Sequence, residues 1–332
     1  MPTYLALPIL AIVAIALASI EQVSAMGLSA LPLAILLGIF YGHISLRVED
    51  ERDHQFSHFC KQKLLRLGIV LFGFGLSFQQ IIAVGWQAIV IDFIVISIIF
   101  VVGTFVGIKV LKLHRDVAIL TAAGSAICGA AAILATESVL KPKQEHITIA
   151  IATVVLFGTL AMFSYPFIYQ WVVMNDQSFG IYIGSTVHEV AQAVAAGQSI
   201  NVETMQTAVV VKLIRVMMLA PFILMLSAVL MRTKSNNQAD KKENGTIAIP
   251  WFVFGFIGTA LINSVVTLPE EIKVSLALAS QFLLAIAMAA LGAHTRWTTI
   301  KEAGAKPLIL AFLLFIILLF GGFFLTSWLA MT

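Results

Sequence analysis

Long apolar runs dominate the sequence and restrict the chain to folds that lie in a lipid bilayer. Of the 332 residues, 60% are hydrophobic and 11% are charged, whereas about a quarter of the residues of a soluble domain are charged. Eleven apolar runs approach the length that crosses ~30 Å of hydrocarbon as an α-helix: 4–20, 28–43, 66–83, 86–111, 117–136, 147–173, 179–198, 205–231, 249–267, 275–293 and 305–330. The sequence therefore predicts an all-α polytopic membrane protein with about 9–11 transmembrane segments.

Basic residues orient the chain, because cytoplasmic loops collect Lys and Arg. They cluster in four polar stretches, 44–66, 109–115, 232–242 and 296–306. Placing these stretches inside predicts a cytoplasmic amino terminus and an external carboxyl terminus. The first apolar run has no Lys or Arg before it, so we interpret it as a retained helix rather than a signal peptide. The net charge of +3 is spread over loops and indicates no nucleic-acid partner.

Two similar motifs interrupt the apolar sequence, G-S-A-I-C-G at 124–129 and G-S-T-V-H-E at 184–189. Non-helical backbone at membrane depth is tolerated only where protein buries it or where it lines a cavity. In transporters, such interruptions in corresponding positions mark the binding site. We therefore predict two interrupted or re-entrant helices that together form a site.

Lys141 and Lys143 bear on how these two segments lie in the bilayer. If all eleven runs cross fully, both lysines are external. If 117–140 and 179–200 instead re-enter the face they came from, both lysines are cytoplasmic, as the positive-inside rule prefers. The sequence favours the re-entrant or broken-helix arrangement.

The chain is predicted to be a single membrane domain spanning 1–332, with a polar cytoplasmic linker at 232–248. Besides the two Gly-Ser motifs, a second internal similarity, here called the second internal echo, suggests the inverted repeat that many transporters contain. It relates Gly73, Phe78, Ile81 and Gly85 to Gly292, Trp297, Ile300 and Gly304, with identical spacing. The two Gly-Ser motifs lie in the fifth and seventh apolar runs, whereas the second internal echo relates the third run to the tenth. These two offsets along the chain differ, and the sequence does not reconcile them.

The interruptions have the composition of an anion site. A break frees backbone amides, and a helix that starts after the break directs its positive dipole end at the cavity. The candidate binding residues are Gly124, Ser125, Cys128, Gly129, Gly184, Ser185 and Thr186, joined by Lys212 and Arg215, which share a helical face. The alternative is that the Gly-Ser-Ala clusters only let helices pack closely.

His188 and Glu189 stand inside the second interruption and are candidates for proton or ion coupling. Ionisable groups at membrane depth are costly and usually face a pathway or a partner. Glu189 is a candidate counter-ion for Lys212 or Arg215, although a purely structural ion pair and snorkelling of the cations to the interface are open alternatives. Asp92 lies near an external helix end, where it is either solvated or functional.

Enzyme chemistry is disfavoured because the sequence holds no nucleophile elbow, zinc motif or Walker loop. Cys60 and Cys128 have neither disulfide nor metal spacing. We expect no cofactor and no metal, and any transport must draw on ion or substrate gradients.

Four ordered strings resemble the YeiH-type family of bacterial inner-membrane proteins, which are described as sulfate exporters: 124–133, 184–197, K-L-I-R-V-M-M-L-A-P at 212–221 and A-M-A-A-L-G at 287–292. That family is grouped with the cation/proton antiporter and anion transporter superfamily. The resemblance implies inverted repeats, interrupted helices that meet at mid-membrane, an inner-membrane location and elevator-like export of sulfate or sulfite. The expected partners are the bilayer, a small anion, H⁺ or Na⁺, and a second copy of the chain.

Two other functions stay open at this stage. In the first, Glu189 and His188 serve a Na⁺/H⁺-type cation antiporter and no oxyanion is involved. In the second, the chain is a non-transporting membrane sensor or assembly subunit.

Overall fold

The computed structural model describes residues 2–20, 23, 29–45, 51–234, 251–266, 268–295, 301 and 303–331, which form helices joined by short turns. In chain order the helices are α1 Thr3–Ala18, α2 Ala30–Ser45, α3 Glu51–Phe59, α4 Leu65–Phe72, α5 Phe78–Ala83, α6 Gly85–Phe105, α7 Arg115–Ala126, α8 Ala130–Leu140, α9 Gln144–Tyr169, α10 Asp176–Thr186, α11 Val190–Gln198, α12 Val202–Met217, α13 Leu219–Lys234, α14 Trp251–Val265, α15 Glu270–Ala293, α16 Ala305–Ile316 and α17 Gly322–Met331. Single π-helical turns join α3 to α4, extend α6, and join α16 to α17.

Several of these helices have the length and composition to cross a membrane, as the apolar runs predict. Five qualify by themselves: Gly85–Val110, Gln144–Tyr169, Val202–Leu230, Glu270–Ala293 and Ala305–Leu329. Shorter apolar helices lie at Thr3–Ala18, Ala30–Ile44, Ala130–Leu140 and Trp251–Val265. The prediction of an all-α polytopic membrane protein is confirmed.

The first interrupted segment, α7 and α8, forms a re-entrant hairpin, here called hairpin 1. The start of α7 lies against the start of α9, because His146 Nδ1 is 3.5 Å from the Asp116 carboxylate and 4.3 Å separates the rings of His114 and His146. Only the turn at 141–143 separates α8 from α9. The end of α8 therefore lies on the face where α7 began, and Lys143 shares that basic face with Arg115.

The second interrupted segment, α10 and α11, forms hairpin 2 on the opposite face. The hydroxyl of Thr204, at the start of α12, donates to the carbonyl of Asp176, at the start of α10. Asn175 and Asn201 cap these two helices by accepting backbone N–H groups of Ser178 and Thr204. Because α9 spans the membrane between the two hairpin bases, the hairpins enter from opposite faces and meet in the middle.

The helices pack into two groups. The first group holds α1 to α5, α14 and α15, and the second holds α6 to α13, α16 and α17. Between the groups, α11 packs against α2, and the hydroxyls of Ser29 and Ser199 are 3.0 Å apart. Gln206 adds a hydrogen bond to the carbonyl of Gly75. Both hairpins belong to the second group.

The second internal echo coincides with a repeated backbone feature. Gly85 and Gly304 stand twelve residues after Gly73 and Gly292, and each adopts a positive φ, +79° and +81°, where the next helix starts. An L-residue with a side chain is strained there, which explains why glycine occupies both positions. Trp297 and Ile300, which complete the predicted echo, lie outside the described residues.

The two offsets become compatible once the packing is known. Helix α6 packs on α7 of hairpin 1, and α17 packs on α10 of hairpin 2. Gly103 faces Leu314 and Gly107 faces Leu310, so α16 runs antiparallel to α6. Hairpin 1 therefore packs on α6, which precedes it in the chain, and on α16, whereas hairpin 2 packs on α17 and on α6. Two antiparallel flanking helices, one before the hairpins and one after them in the chain, are what an inverted repeat with one circularly permuted unit would give.

The predicted linker falls mostly outside the described residues. Residues 232–234 end α13, so they are helical rather than part of a loop. The remainder of the predicted linker, 235–248, is not among the described residues.

Candidate functional site at the hairpin tips

The breaks lie a few residues later than the Gly-Ser pairs suggest. Helix α7 continues to Ala126 and α10 to Thr186, so the non-helical tips are 127–129 and 187–189. Gly129 has a φ of +67°, and a Cβ there would lie 2.6 Å from Cγ of Glu189. Gly129 therefore makes the tip of hairpin 1 possible and lets it touch the tip of hairpin 2.

Gly124 and Gly184 allow close packing, as the alternative interpretation of the Gly-Ser clusters proposes, and their predicted role in binding a substrate stays a prediction. A Cβ on Gly124 would lie 2.8 Å from the side chain of Ile133, across hairpin 1. A Cβ on Gly184 would lie 2.6 Å from Cβ of Val211 on α12. Both glycines let helices approach beside the tips.

Lys212 and Arg215, both fully buried on α12, hold the two tips together. Lys212 Nζ donates to the carbonyl of Ile127 at 2.8 Å and to that of Val187. Arg215 Nε donates to the carbonyl of Ala126 at 2.9 Å, and its Nη atoms donate to those of Ser125, Ala126 and Ser185. The sequence groups these cations correctly on one helical face, and this face binds both hairpins.

These contacts have a clear electrostatic reason. The carbonyls at the ends of α7 and α10 have no partners within their helices and carry the negative ends of the helix dipoles. Two cations placed there neutralise both ends at once. The two cations therefore stabilise the non-helical backbone at membrane depth; their predicted role in balancing the charge of a substrate stays a prediction.

Glu189 lies at the opposite, positive ends of the broken helices. Its carboxylate caps α11 in a reciprocal arrangement with Gln192, whose side chain accepts the Glu189 backbone N–H at 3.1 Å. The same carboxylate accepts the N–H of Ala130, the first residue of α8, at 3.4 Å. Lys61 of the first helix group is close enough to interact with it electrostatically. Within the described structure Glu189 forms no direct ion pair with Lys212 or Arg215, although its charge interacts with that of Lys212; its role as a counter-ion to one of these cations stays a prediction.

Glu189 is also the accessible residue of the second tip. His188 is buried, whereas Glu189 and Ala130 are partly exposed. A ligand that reaches the tips would therefore meet the Glu189 carboxylate and the amino-terminal ends of α8 and α11. One carboxylate occupies the place where two helix dipoles favour an anion.

Asp92 on α6 belongs to the site, and the expectation that it is solvated near an external helix end is wrong. It is fully buried and faces Ser185 and the charges of Arg215 and Lys212. Neither carboxylate oxygen has a hydrogen-bonding partner in the described structure. Its position inside an apolar run indicates a buried charge, but only the packing of α6 on α7 and α10 shows which site it faces.

The other predicted site residues divide by their hydrogen bonds. The hydroxyls of Ser125 and Ser185 and both ring nitrogens of His188 are buried and lack partners among the described residues. The hydroxyl of Thr186 is instead paired with that of Tyr165 and donates to the carbonyl of Tyr182. Cys128 lies buried in the first tip with a free thiol.

Comparisons with known proteins place the chain in a family. The family described as "Conserved hypothetical protein 698" matches residues 2–311. The inner membrane protein YeiH of Escherichia coli strain K12 is 48% identical over 309 residues, covering 92% of this chain and 87% of that protein. The chain belongs to the YeiH family of inner membrane proteins.

Other members of the YeiH family show the same extent of similarity. A membrane protein of Yersinia pestis is 48% identical to this chain, and the aligned region covers 90% of this chain and 84% of that protein. A membrane protein of Pasteurella multocida is 46% identical, and the aligned region covers 90% of this chain and 88% of that protein. No solved structure matches the chain. This chain is therefore a multi-pass inner membrane protein, as the sequence predicts.

Proposed function

We propose that this chain is a secondary transporter that exports a small oxyanion such as sulfate or sulfite across the inner membrane. One observation carries the proposal: the Glu189 carboxylate bridges the amino-terminal ends of α8 and α11 at the accessible side of the hairpin tips. A carboxylate held there acts as an internal stand-in for an anionic substrate, because the same N–H groups and dipoles would bind either one.

Proton coupling follows from competition for this position. An ionised Glu189 fills the two helix ends and repels a second anion, whereas a protonated Glu189 gives up its charge and frees the N–H of Ala130. The hydroxyl of Ser125 lacks a hydrogen-bonding partner among the described residues, and that of Ser185 faces the Asp92 carboxylate. Both hydroxyls can donate to an oxyanion if the tips rearrange. In this scheme, one proton accompanies each anion.

The two helix groups suit an elevator-like movement. The site lies entirely in the second group, while Lys61 of the first group interacts electrostatically with Glu189. Sliding of the second group against the first would expose the tips to one face and then to the other. The few polar contacts between the groups can break and re-form during such a movement.

The proposal is tested with purified protein in liposomes, by measuring the flux of radiolabelled sulfate and sulfite with and without a pH gradient. We expect anion flux that carries protons with it. A Glu189→Gln variant keeps the size and cap of the side chain but cannot ionise, so its anion binding should lose its dependence on pH. Flux equal to that of empty liposomes, for a broad panel of oxyanions, would refute the proposal and favour a sensor or assembly subunit.

The position of Glu189 also supports a second candidate, a Na⁺/H⁺-type cation antiporter. An ionisable residue at membrane depth, partly exposed at the hairpin tips, is a group that could exchange H⁺ for Na⁺. This candidate predicts Na⁺-driven proton movement without any oxyanion, abolished by Glu189→Gln. The oxyanion transporter predicts no such signal, so the same liposomes distinguish the two.

A further inference from the structure

The base of hairpin 1 holds a cluster of three metal-ligating side chains that the proposed transport does not use. His114 precedes α7, Asp116 lies in its first turn, and His146 lies in the first turn of α9. One ligand atom of each residue lies within 4.8 Å of the other two. The cluster joins two helices that are far apart in sequence, on the basic and therefore cytoplasmic face.

The distances in this cluster fit a metal ion better than direct hydrogen bonds. Asp116 Oδ2 is 3.6 Å from His114 Nδ1 and 3.5 Å from His146 Nδ1, whereas charge-assisted hydrogen bonds span about 2.7–2.9 Å. Ligand atoms placed tetrahedrally around Zn²⁺ at about 2.0–2.1 Å stand roughly 3.4 Å apart. The two distances from Asp116 are therefore already close to those between the ligands of a tetrahedral zinc ion.

Burial supports the same conclusion. The side chain of His146 is 12% exposed, and its Nδ1 has no hydrogen-bonding partner among the described residues. His114 Nδ1 accepts the backbone N–H of Asp116, but only at 3.3 Å, so coordination would replace a long hydrogen bond. His114 is 59% exposed, which leaves a route for an ion and for a water molecule as a fourth ligand.

We propose that His114, Asp116 and His146 bind a divalent transition-metal ion, with Zn²⁺ the best fit. Two imidazoles and one carboxylate are a ligand set that Zn²⁺ accepts with a water in the fourth position. The bound ion fastens the base of hairpin 1 to α9 from the cytoplasmic side. This site is separate from the hairpin tips and does not depend on the proposed transport.

The test is calorimetric titration of Zn²⁺ into chelator-stripped protein in detergent, with Mg²⁺ as the comparison ion. We expect one Zn²⁺ per chain, no saturable Mg²⁺ binding, and a higher Tm with Zn²⁺. His114→Asn and His146→Asn should each weaken Zn²⁺ binding by more than about tenfold. Asn is a good helix N-cap, so His114→Asn preserves the start of α7.

His58→Asn is the matched control, because His58 is an exposed histidine on α3 whose ring pairs only with Gln62 in the described structure. It should bind Zn²⁺ as the wild type does. X-ray absorption of the Zn²⁺ complex should show nitrogen and oxygen ligands near about 2.0–2.1 Å. Absence of saturable Zn²⁺ binding, or unchanged affinity in the two cluster variants while their metal-free Tm matches the wild type, would overturn the assignment.

Discussion

Buried cations are costly unless their donors are hydrogen-bonded, and Lys212 meets this condition with backbone carbonyls rather than a carboxylate. Lys212→Met keeps much of the side-chain volume but leaves the carbonyls of Ile127 and Val187 buried without a donor. Each such group costs about 1–3 kcal/mol, so we expect a clear fall in Tm measured in detergent. Lys273→Gln is the control, because its exposed ion pair with Glu270 contributes at most about 1 kcal/mol. A Lys212→Met protein as stable as the control would contradict the capping role.

The residues of this site were predictable, but their partners were not. Lys212 and Arg215 stand out as charges in an apolar run, and their spacing of three fixes their common face. Some of the carbonyls that they bind belong to hairpin 2, 25 to 30 residues earlier, and the others belong to hairpin 1, 85 to 90 residues earlier; no local pattern encodes these contacts. Asp92 shows the same limit: its place near the start of an apolar run left solvated and functional roles open, and only the tertiary packing shows that it is buried and which side chains it faces.

At the scale of elements, hairpin 1 depends on the left-handed backbone at Gly129. Gly129→Ala imposes a strained φ and places a Cβ 2.6 Å from Glu189 Cγ. We expect a lower Tm and, if the chain transports an anion, loss of flux, because the tips must separate. Gly258→Ala is the control: a Cβ there meets nothing within 4 Å, and Ala favours the helix by about 1 kcal/mol. Equal behaviour of the two variants in thermal unfolding would contradict this account of the tip.

The re-entrant course of hairpin 1 has a direct topological test. Cysteines replacing Arg115 and Lys143 should both react with a membrane-impermeant maleimide from the cytoplasmic side only, in a background that lacks Cys60 and Cys128. A cysteine replacing Asn201 should react only from outside. The structure puts both hairpin ends on one face, whereas a full crossing would make position 143 react from outside. The lysines at 141 and 143 favour this arrangement in the sequence, but the contact of Asp116 with His146 decides it.

For the whole molecule, the sequence predicts the membrane class and two interrupted segments, and it leaves the repeat unresolved. The reason is physical: an inverted repeat is defined by which helices pack together, and this packing tolerates a different order along the chain. The glycines at 85 and 304 keep their backbone role in both units, which is why their spacing survives in the sequence. The flanking helix of hairpin 2 comes from the far end of the chain, so alignment by order misses it.

Movement of one helix group against the other, if it occurs, must break the contact between Ser29 and Ser199. Their hydroxyls are 3.0 Å apart, so Ser29→Cys with Ser199→Cys should form a disulfide under mild oxidation. In liposomes, we expect the cross-link to abolish anion flux and a reductant to restore it, while anion binding at the accessible tips persists.

A cross-link within one group separates this effect from oxidation itself. Position 255 would carry its Cβ 3.8 Å from Cβ of Val70, the mean separation in disulfides, and both residues lie in the first group. The Val70→Cys and Gly255→Cys pair should therefore cross-link without lowering flux. The two disulfides differ in that only the one between positions 29 and 199 prevents the groups from moving against each other. Full flux with this cross-link complete would exclude the elevator-like movement. It would not contradict the proposal that an anion binds at Glu189.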